Sequence, residues 1–143
     1  MKKISVQVIE NTAGVAPFID AKKAKISVFE DETCAFVSVS KEKPDVIILA
    51  DNILGHETVE YIALLNRASP TSKIVLIADQ ITDKEVMNCI LAGARGYLPA
   101  REIEKFINRC IRVVDKGEAW ITRKMVAQLL EKLREQERLH KRG

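Results

Sequence analysis

Residues 43–50 read Lys43-Pro44-Asp45-Val46-Ile47-Ile48-Leu49-Ala50: a helix-stopping proline, an acid, then four aliphatic residues with no polar interruption. Neighbouring side chains in a strand face opposite sides, so a half-buried strand alternates apolar and polar residues. An unbroken aliphatic run is instead buried on both faces, as at the centre of a parallel sheet covered by helices. Ile74-Val75-Leu76-Ile77 repeats the pattern. Further Val- and Ile-rich runs at 4–9 and 26–29, with Gly96-Tyr97-Leu98, bring the expected strands to five.

Helix-period segments lie between these runs. Residues 57–68 place Val59, Ile62, Ala63 and Leu65 on one side and stop at Ser69-Pro70. Residues 83–92 group Val86, Cys89 and Ile90, with Thr82 as N-cap and Gly93 as stop. Residues 102–115 repeat Ile103, Phe106, Ile107, Cys110, Ile111 and Val114 at spacings of three and four. Residues 31–43 open with acids suited to a helix N-terminus and close before Pro44. Only 11–25 is ambiguous, because Gly14 and Pro17 interrupt any helix there. Strands alternating with helices give an α/β, flavodoxin-like three-layer sandwich, since right-handed crossovers place helices on both faces. Five parallel strands suit the order 2-1-3-4-5, with a site at the carboxyl ends of strands 1 and 3. The decisive residues therefore follow Ile9, Leu49, Ile77 and Leu98.

The length of 143 residues is that of one domain with a short extension, divided here as 1–121 and 122–143. Net charge is +3, but 122–143 holds seven Lys/Arg and three Glu, leaving 16 and 17 of each sign for the first 121 residues. The basic character belongs to the tail, whereas a nucleic-acid module carries a basic stripe across its folded body. No secretory leader or membrane-spanning run occurs, so a cytoplasmic location without membrane contact is expected. Three cysteines without CxxC spacing (Cys34, Cys89, Cys110) read as buried reduced thiols, with no metal site.

Three segments now stand in register: Lys43 to Leu49, Ala92-Gly93-Ala94-Arg95-Gly96-Tyr97-Leu98, and Gly117-Glu118-Ala119-Trp120-Ile121. In these the chain resembles the receiver domain of bacterial two-component response regulators, of the LuxR/NarL class of transcription regulators. The resemblance covers 43–133 well and 1–42 loosely, because the stretch from Glu10 to Pro44 is several residues short. It implies phosphoryl transfer from a histidine kinase to an aspartate ending strand 3. That chemistry needs an acidic pair after strand 1 to hold Mg²⁺, a Thr or Ser after strand 4, and a Lys after strand 5.

Carried over residue by residue, the requirements fail. The acidic pair falls on Glu10 and Asn11, the phospho-acceptor on Ala50, the hydroxyl on Ala78 and the lysine on Ala100. A methyl group forms no acyl phosphate, so a pseudo-receiver acting by protein–protein contact, without enzymic turnover or cofactor, is the leading expectation. Each alanine is followed by a charge (Asp51, Asp79, Arg101), which opens a second reading: Asp51 as phospho-acceptor, with Glu10 and Mg²⁺. Strand alternation argues against that slip. A third reading is a regulatory domain that binds a small molecule in the vacated cleft.

Other candidates are plainer. His56 is expected exposed at a helix start and His140 in the tail, neither with a nucleophilic partner. Tyr97 stands where the family's aromatic helps signal activation, and packing is the simpler role. Trp120 is expected to cover the end of the last helix. Val126, Leu129, Leu130 and Leu133 form an apolar stripe followed by the wholly polar 134–143. In the resembling class such a helix leads to a helix-turn-helix, so DNA contact is expected only through an output domain absent from this sequence. The stripe predicts a weak homodimer.

Overall fold

The computed structural model describes residues 2–12, 14–50 and 57–142, with side chains as far as Leu139. Its elements run β1 (Ile4–Ile9), β2 (Ala24–Phe29), α1 (Glu32–Glu42), β3 (Val46–Ala50), α2 (Thr58–Ala68), β4 (Lys73–Ala78), α3 (Asp83–Ala92), β5 (Ala94–Pro99), α4 (Ile103–Asp115) and α5 (Arg123–Arg142). The strands are parallel in the order β2-β1-β3-β4-β5. This is the flavodoxin-like sheet expected from the sequence. All five residues of β3 are buried, as an uninterrupted aliphatic strand between two helical layers requires.

Alternation divides the core. Val46 and Ile48 join Val6, Val8, Val75, Ile77 and Leu98 on the face covered by Ile107, Cys110, Ile111 and Val114 of α4. Ile47 and Leu49 join Ile9, Ile74 and Leu76 on the opposite face, under Ala35 and Val39 of α1, Ile62 and Leu65 of α2, and Cys89 of α3. Polar groups inside are paired. Gln7, 2% exposed, donates to the Ala35 carbonyl at 2.9 Å and accepts from Ser38 at 3.1 Å. Asp45 exchanges hydrogen bonds with Ser5 and ties the start of β3 to β1.

Helix ends follow local chemistry. Asp31 caps α1 by accepting from the Thr33 amide, and Lys43 turns left-handed (φ 46°) before Pro44. Thr82 caps α3 by accepting from the Glu85 amide, and Gly93 ends it at φ 133°.

Four expectations change. Among its described residues the ambiguous stretch between β1 and β2 forms the 3₁₀ turn Ala16–Phe18 and no α-helix, so α1, α2 and α3 cover one face and α4, with Val15 and Ile19 of this stretch, covers the other. Pro17 supplies a fixed φ at the start of that turn and lacks the N–H a longer helix would use. Asn108 of α4 accepts from the Asp20 amide (2.8 Å) and donates to the Phe18 carbonyl (3.0 Å), pinning the short connection. Val28 at the sheet edge and Phe18 stay 49% and 42% exposed. Second, Cys34 is exposed, whereas Cys89 and Cys110 are buried, because Ala35 and Val39 take the inward positions of α1. Third, the polar C-terminal segment is helical through Arg142. Fourth, Trp120 packs beside Phe106 near the start of α4 (ring centroids 6.1 Å apart) and pairs its backbone with β5.

Candidate functional site

The carboxyl ends of β1, β3 and β4 and the 3₁₀ turn after β5 (Ala100–Glu102) open onto one cleft of about 280 Å³. Glu10, Val15, Ala50, Ala78, Asp79 and Ala100 are among its walls. Ala50 pairs with Ile77 and Ala78 with Pro99, so both alanines are the last paired residues of their strands, and the one register shift of the β4–β5 ladder lies at its other end, between Ile74 and Val75. The four positions singled out in sequence do converge on one place, and three of them present a methyl group. Asp79, which follows Ala78, is exposed at the cleft's rim, and Arg101 is exposed. Asp51 and His56 lie outside the described residues, as does the side chain of His140.

Glu10 is the one acid carried over from the expected metal-binding pair. It is 1% exposed, and its carboxylate is turned onto the loop that follows β1. Oε1 accepts from the amides of Gly14 and Val15, both at 3.1 Å. Oε2 accepts from Val15 at 3.3 Å and Ala16 at 3.2 Å. Three successive N–H groups thus form a concave anion cradle, and the chain's own carboxylate fills it. Those N–H dipoles point their positive ends at both oxygens, which opposes a cation beside them. Asn11 is exposed, and the alanine side chains offer no oxygen ligand. Among the described residues, the Glu10 carboxylate is thus taken up by backbone donors instead of standing open to Mg²⁺. Among the described residues, no group of three or more His, Cys, Asp or Glu is placed to hold a metal ion.

The sequence contained a sign of this arrangement that went unread. Gly14 follows Glu10 by four residues, close enough for the carboxylate to close a loop on itself. A Cβ at Gly14 would meet the Thr12 hydroxyl and Glu10 Oε1 only at ordinary contact distance, so it is the loop's short span, not lack of space, that matters.

A second feature adjoins β5. Tyr97 is half-buried, and its hydroxyl reaches towards the Ala78 carbonyl at 3.4 Å, a marginal hydrogen bond. Burial pushes its phenol above the usual range, with Arg101 opposing. Tyr97 packs against the cluster of Val86, Met87 and Met125, which Ile81 and Ile121 also adjoin. Met125 belongs to the first turn of α5 and is 4% exposed. Lys124 pairs with Asp83 at 3.1 Å beside it, and Thr122 caps the helix through the Met125 amide. Tyr97 thus packs inside a small apolar cluster that α5 helps to close.

The expected four-residue stripe is split by this docking. Leu129 leans on the same cluster, while Val126, Leu130 and Leu133 remain 41%, 49% and 50% exposed. Behind Tyr97, segment 119–121 lies along the edge of β5. The Tyr97 amide donates to the Trp120 carbonyl at 3.0 Å, and the Trp120 amide donates to the Arg95 carbonyl at 3.1 Å. Gly96 makes the approach possible, since a Cβ there would stand 3.0 Å from the Trp120 Cβ and 3.2 Å from its carbonyl oxygen.

No family model and no curated protein matches the sequence. Solved structures do match the fold. The isolated REC domain of RcsB from Salmonella enterica serovar Typhimurium, apo form, superposes with a TM-score of 0.78 at 15% identity, over 90% of this chain and 99% of that one. A LuxR-family two-component response regulator from Aurantimonas sp. SI85-9A1 gives 0.76 at 11%, over 92% and 98%. The signal receiver domain of the putative response regulator NarL from Mycobacterium tuberculosis gives 0.73 at 18%, over 82% and 100%. The chain has the fold of response-regulator receiver domains, the fold its sequence resembles.

Proposed function

We propose that this chain is a receiver-type module of two-component signal transduction that works without aspartyl phosphorylation and reads out by protein–protein contact. The observation that carries the reading is the cleft itself. Ala50, Ala78 and Ala100 stand where acceptor, hydroxyl and ammonium are required, and Glu10 is committed to the amides of Gly14, Val15 and Ala16. A loop held by an internal carboxylate stays in one arrangement whether or not a phosphodonor is present. A surface fixed in this way suits constitutive recognition of a protein partner. DNA contact, and with it transcription regulation, would come only through a further output domain. Among the described residues no helix is long and apolar enough to cross a membrane, and a cytoplasmic location fits the proposed role.

Incubation with Mg²⁺ and acetyl phosphate, followed by intact mass measurement, tests the proposal. The expected outcome is an unchanged mass. Gain of one phosphate on the peptide spanning residues 50–51 would overturn it in favour of Asp51 as acceptor for a histidine kinase, with Mg²⁺ held otherwise than by a Glu10 left in its cradle. A second reading is favoured by the cleft's apolar walls, where Val15, Ile77 and Ile103 surround the alanines. A small apolar ligand bound there would stabilise the fold, and a thermal-shift screen of uncharged compounds would reveal it.

A further inference from the structure

We infer that the groove between α1 and the β1–β2 border of the sheet is a binding site for a small zwitterion, a molecule that carries an ammonium and a carboxylate as an amino acid does. In an α/β sandwich the covering helices meet the sheet through apolar side chains, and α1 does so with Ala35 and Val39. Towards β2 the same side of the sheet turns polar. Ser5 stands beside Lys25 and Gln7 beside Ser27 in the parallel ladder, so four polar residues form a two-by-two array on one face. Ser38 and Glu42, four residues apart on α1, face it from the helix. These six residues line one cavity of about 350 Å³, which shares no lining residue with the cleft at the carboxyl ends of the strands.

The inner wall is fixed and the rim is charged. Buried Gln7 donates to the Ala35 carbonyl and accepts from the Ser38 hydroxyl, which locks its amide in place. A side-chain amide has two N–H donors and two lone pairs on its oxygen, so one of each is left over for a ligand. Lys25 and Glu42 are exposed at the mouth, opposite in sign and on different elements. Among the described residues neither forms an ion pair, with the other or with a third group. Two unlike charges that share one cavity without touching suit a ligand that carries both, its carboxylate on Lys25 and the Ser27 hydroxyl and its ammonium on Glu42. A ligand of one sign would leave one of these charges unmet, and an apolar ligand would strip water from polar walls without replacing it.

Titration of the isotope-labelled full chain with glycine, L-serine and L-glutamine, followed by amide NMR, tests the inference. At least one of the three should shift the amides of Ser5 to Gln7, Lys25 to Ser27 and Ser38 to Glu42 saturably, with a dissociation constant of about 1 mM. The carboxamide and the N-acetyl derivative of the amino acid that binds each lack one of its charges, and each should bind at least about tenfold more weakly. Lys25→Gln and Glu42→Gln, both at exposed positions, should each weaken binding by about the same factor, with circular dichroism melts confirming that the variants fold. No saturable shift from any of the three up to about 50 mM would overturn the inference. So would derivatives that bind as tightly as the parent, or variants that bind it undiminished. Shifts confined to the amides of Ala50, Ala78 and Ala100 would overturn the location and assign the ligand to the cleft. The inference does not rest on the function proposed above: amino-acid binding and phosphate uptake are separate readouts, and either can fail without the other.

Discussion

Replacing Glu10 separates a carboxylate that holds a loop from one kept for a metal ion. In the structure Glu10 Oε1 and Oε2 receive three backbone N–H groups, of which Val15's is buried and those of Gly14 and Ala16 are partly so. Glu10→Ala removes charge-assisted hydrogen bonds, each worth about 1.5–3 kcal/mol net, and strands at least one buried donor at a cost of about 1–3 kcal/mol. Water can reach the partly buried donors, so the contributions do not add in full. A loss of about 3–4 kcal/mol is expected. Glu10→Gln keeps one acceptor but points an amide N–H₂ at other N–H groups, and about 2 kcal/mol should be lost. Urea denaturation followed by circular dichroism measures both. The metal reading predicts the opposite sign. A carboxylate held ready for Mg²⁺ is repelled by neighbouring acids, so Glu10→Gln without Mg²⁺ would be neutral or stabilising, and millimolar Mg²⁺ would stabilise wild type alone. Either result would refute the loop-holding role.

Three further outcomes are expected. Gly96→Ala should cost about 1–3 kcal/mol, because the new methyl meets Trp120 at 3.0–3.2 Å, and a shifted Trp120 emission maximum should accompany the loss. Met125→Ala, which opens a gap beside Met87 and Tyr97, should cost about 2–3 kcal/mol and raise amide exchange through the first turns of α5, read by hydrogen–deuterium exchange. In native protein at pH 8, maleimide should modify Cys34 alone. Cys89 is buried, and burial pushes the Cys110 thiol up to about 12, so it stays protonated. The Asp31 carboxylate hydrogen-bonded to Cys34 raises that thiol above its ordinary 9.0, so less than half is thiolate at pH 9 and its labelling still accelerates there. Asp31→Ala should speed labelling at pH 8 and, by removing the α1 cap, lower the midpoint of the same urea titration.

The sheet was legible because its central strands need no alternation: 46–49 and 74–77 can be little else than strands buried on both faces. Helices α2, α3 and α4 were legible for a similar reason, their apolar spacing being strong and the stops of the first two explicit at Ser69-Pro70 and Gly93. The convergence of Glu10, Ala50, Ala78 and Ala100 followed from strand ends and topology. What stayed hidden was direction. Beyond the last residue of a strand, alternation no longer fixes where a side chain points, so nothing in the order of residues showed Glu10 turning onto its own loop. The exposure of Cys34 depends on helix phase, and one residue's rotation separates it from buried Ala35. The helical continuation to Arg142 has no apolar stripe to announce it; strong helix formers such as Glu, Arg, Lys and Leu carry it by propensity. The division of the last helix between its own domain and an exposed row required knowing that Met125 and Leu129 reach α3.

The two borders of the sheet are protected by unlike means. Along β5 a neighbouring segment is already hydrogen-bonded, so no incoming strand finds a free ladder there. Among the described residues no segment pairs with the outer border of β2, and its helix-poor face leaves Val28 in water. Lys22, Lys23 and Lys25 crowd its start, all exposed. A second copy arriving parallel and in register would bring the same three cations against them, and lysine at an open border is a recognised guard against runaway polymerisation. The price of omitting a crossover helix is then a charged fence: parallel growth of the sheet from chain to chain is hindered at one border by hydrogen bonds already made and at the other by repulsion that salt would relax.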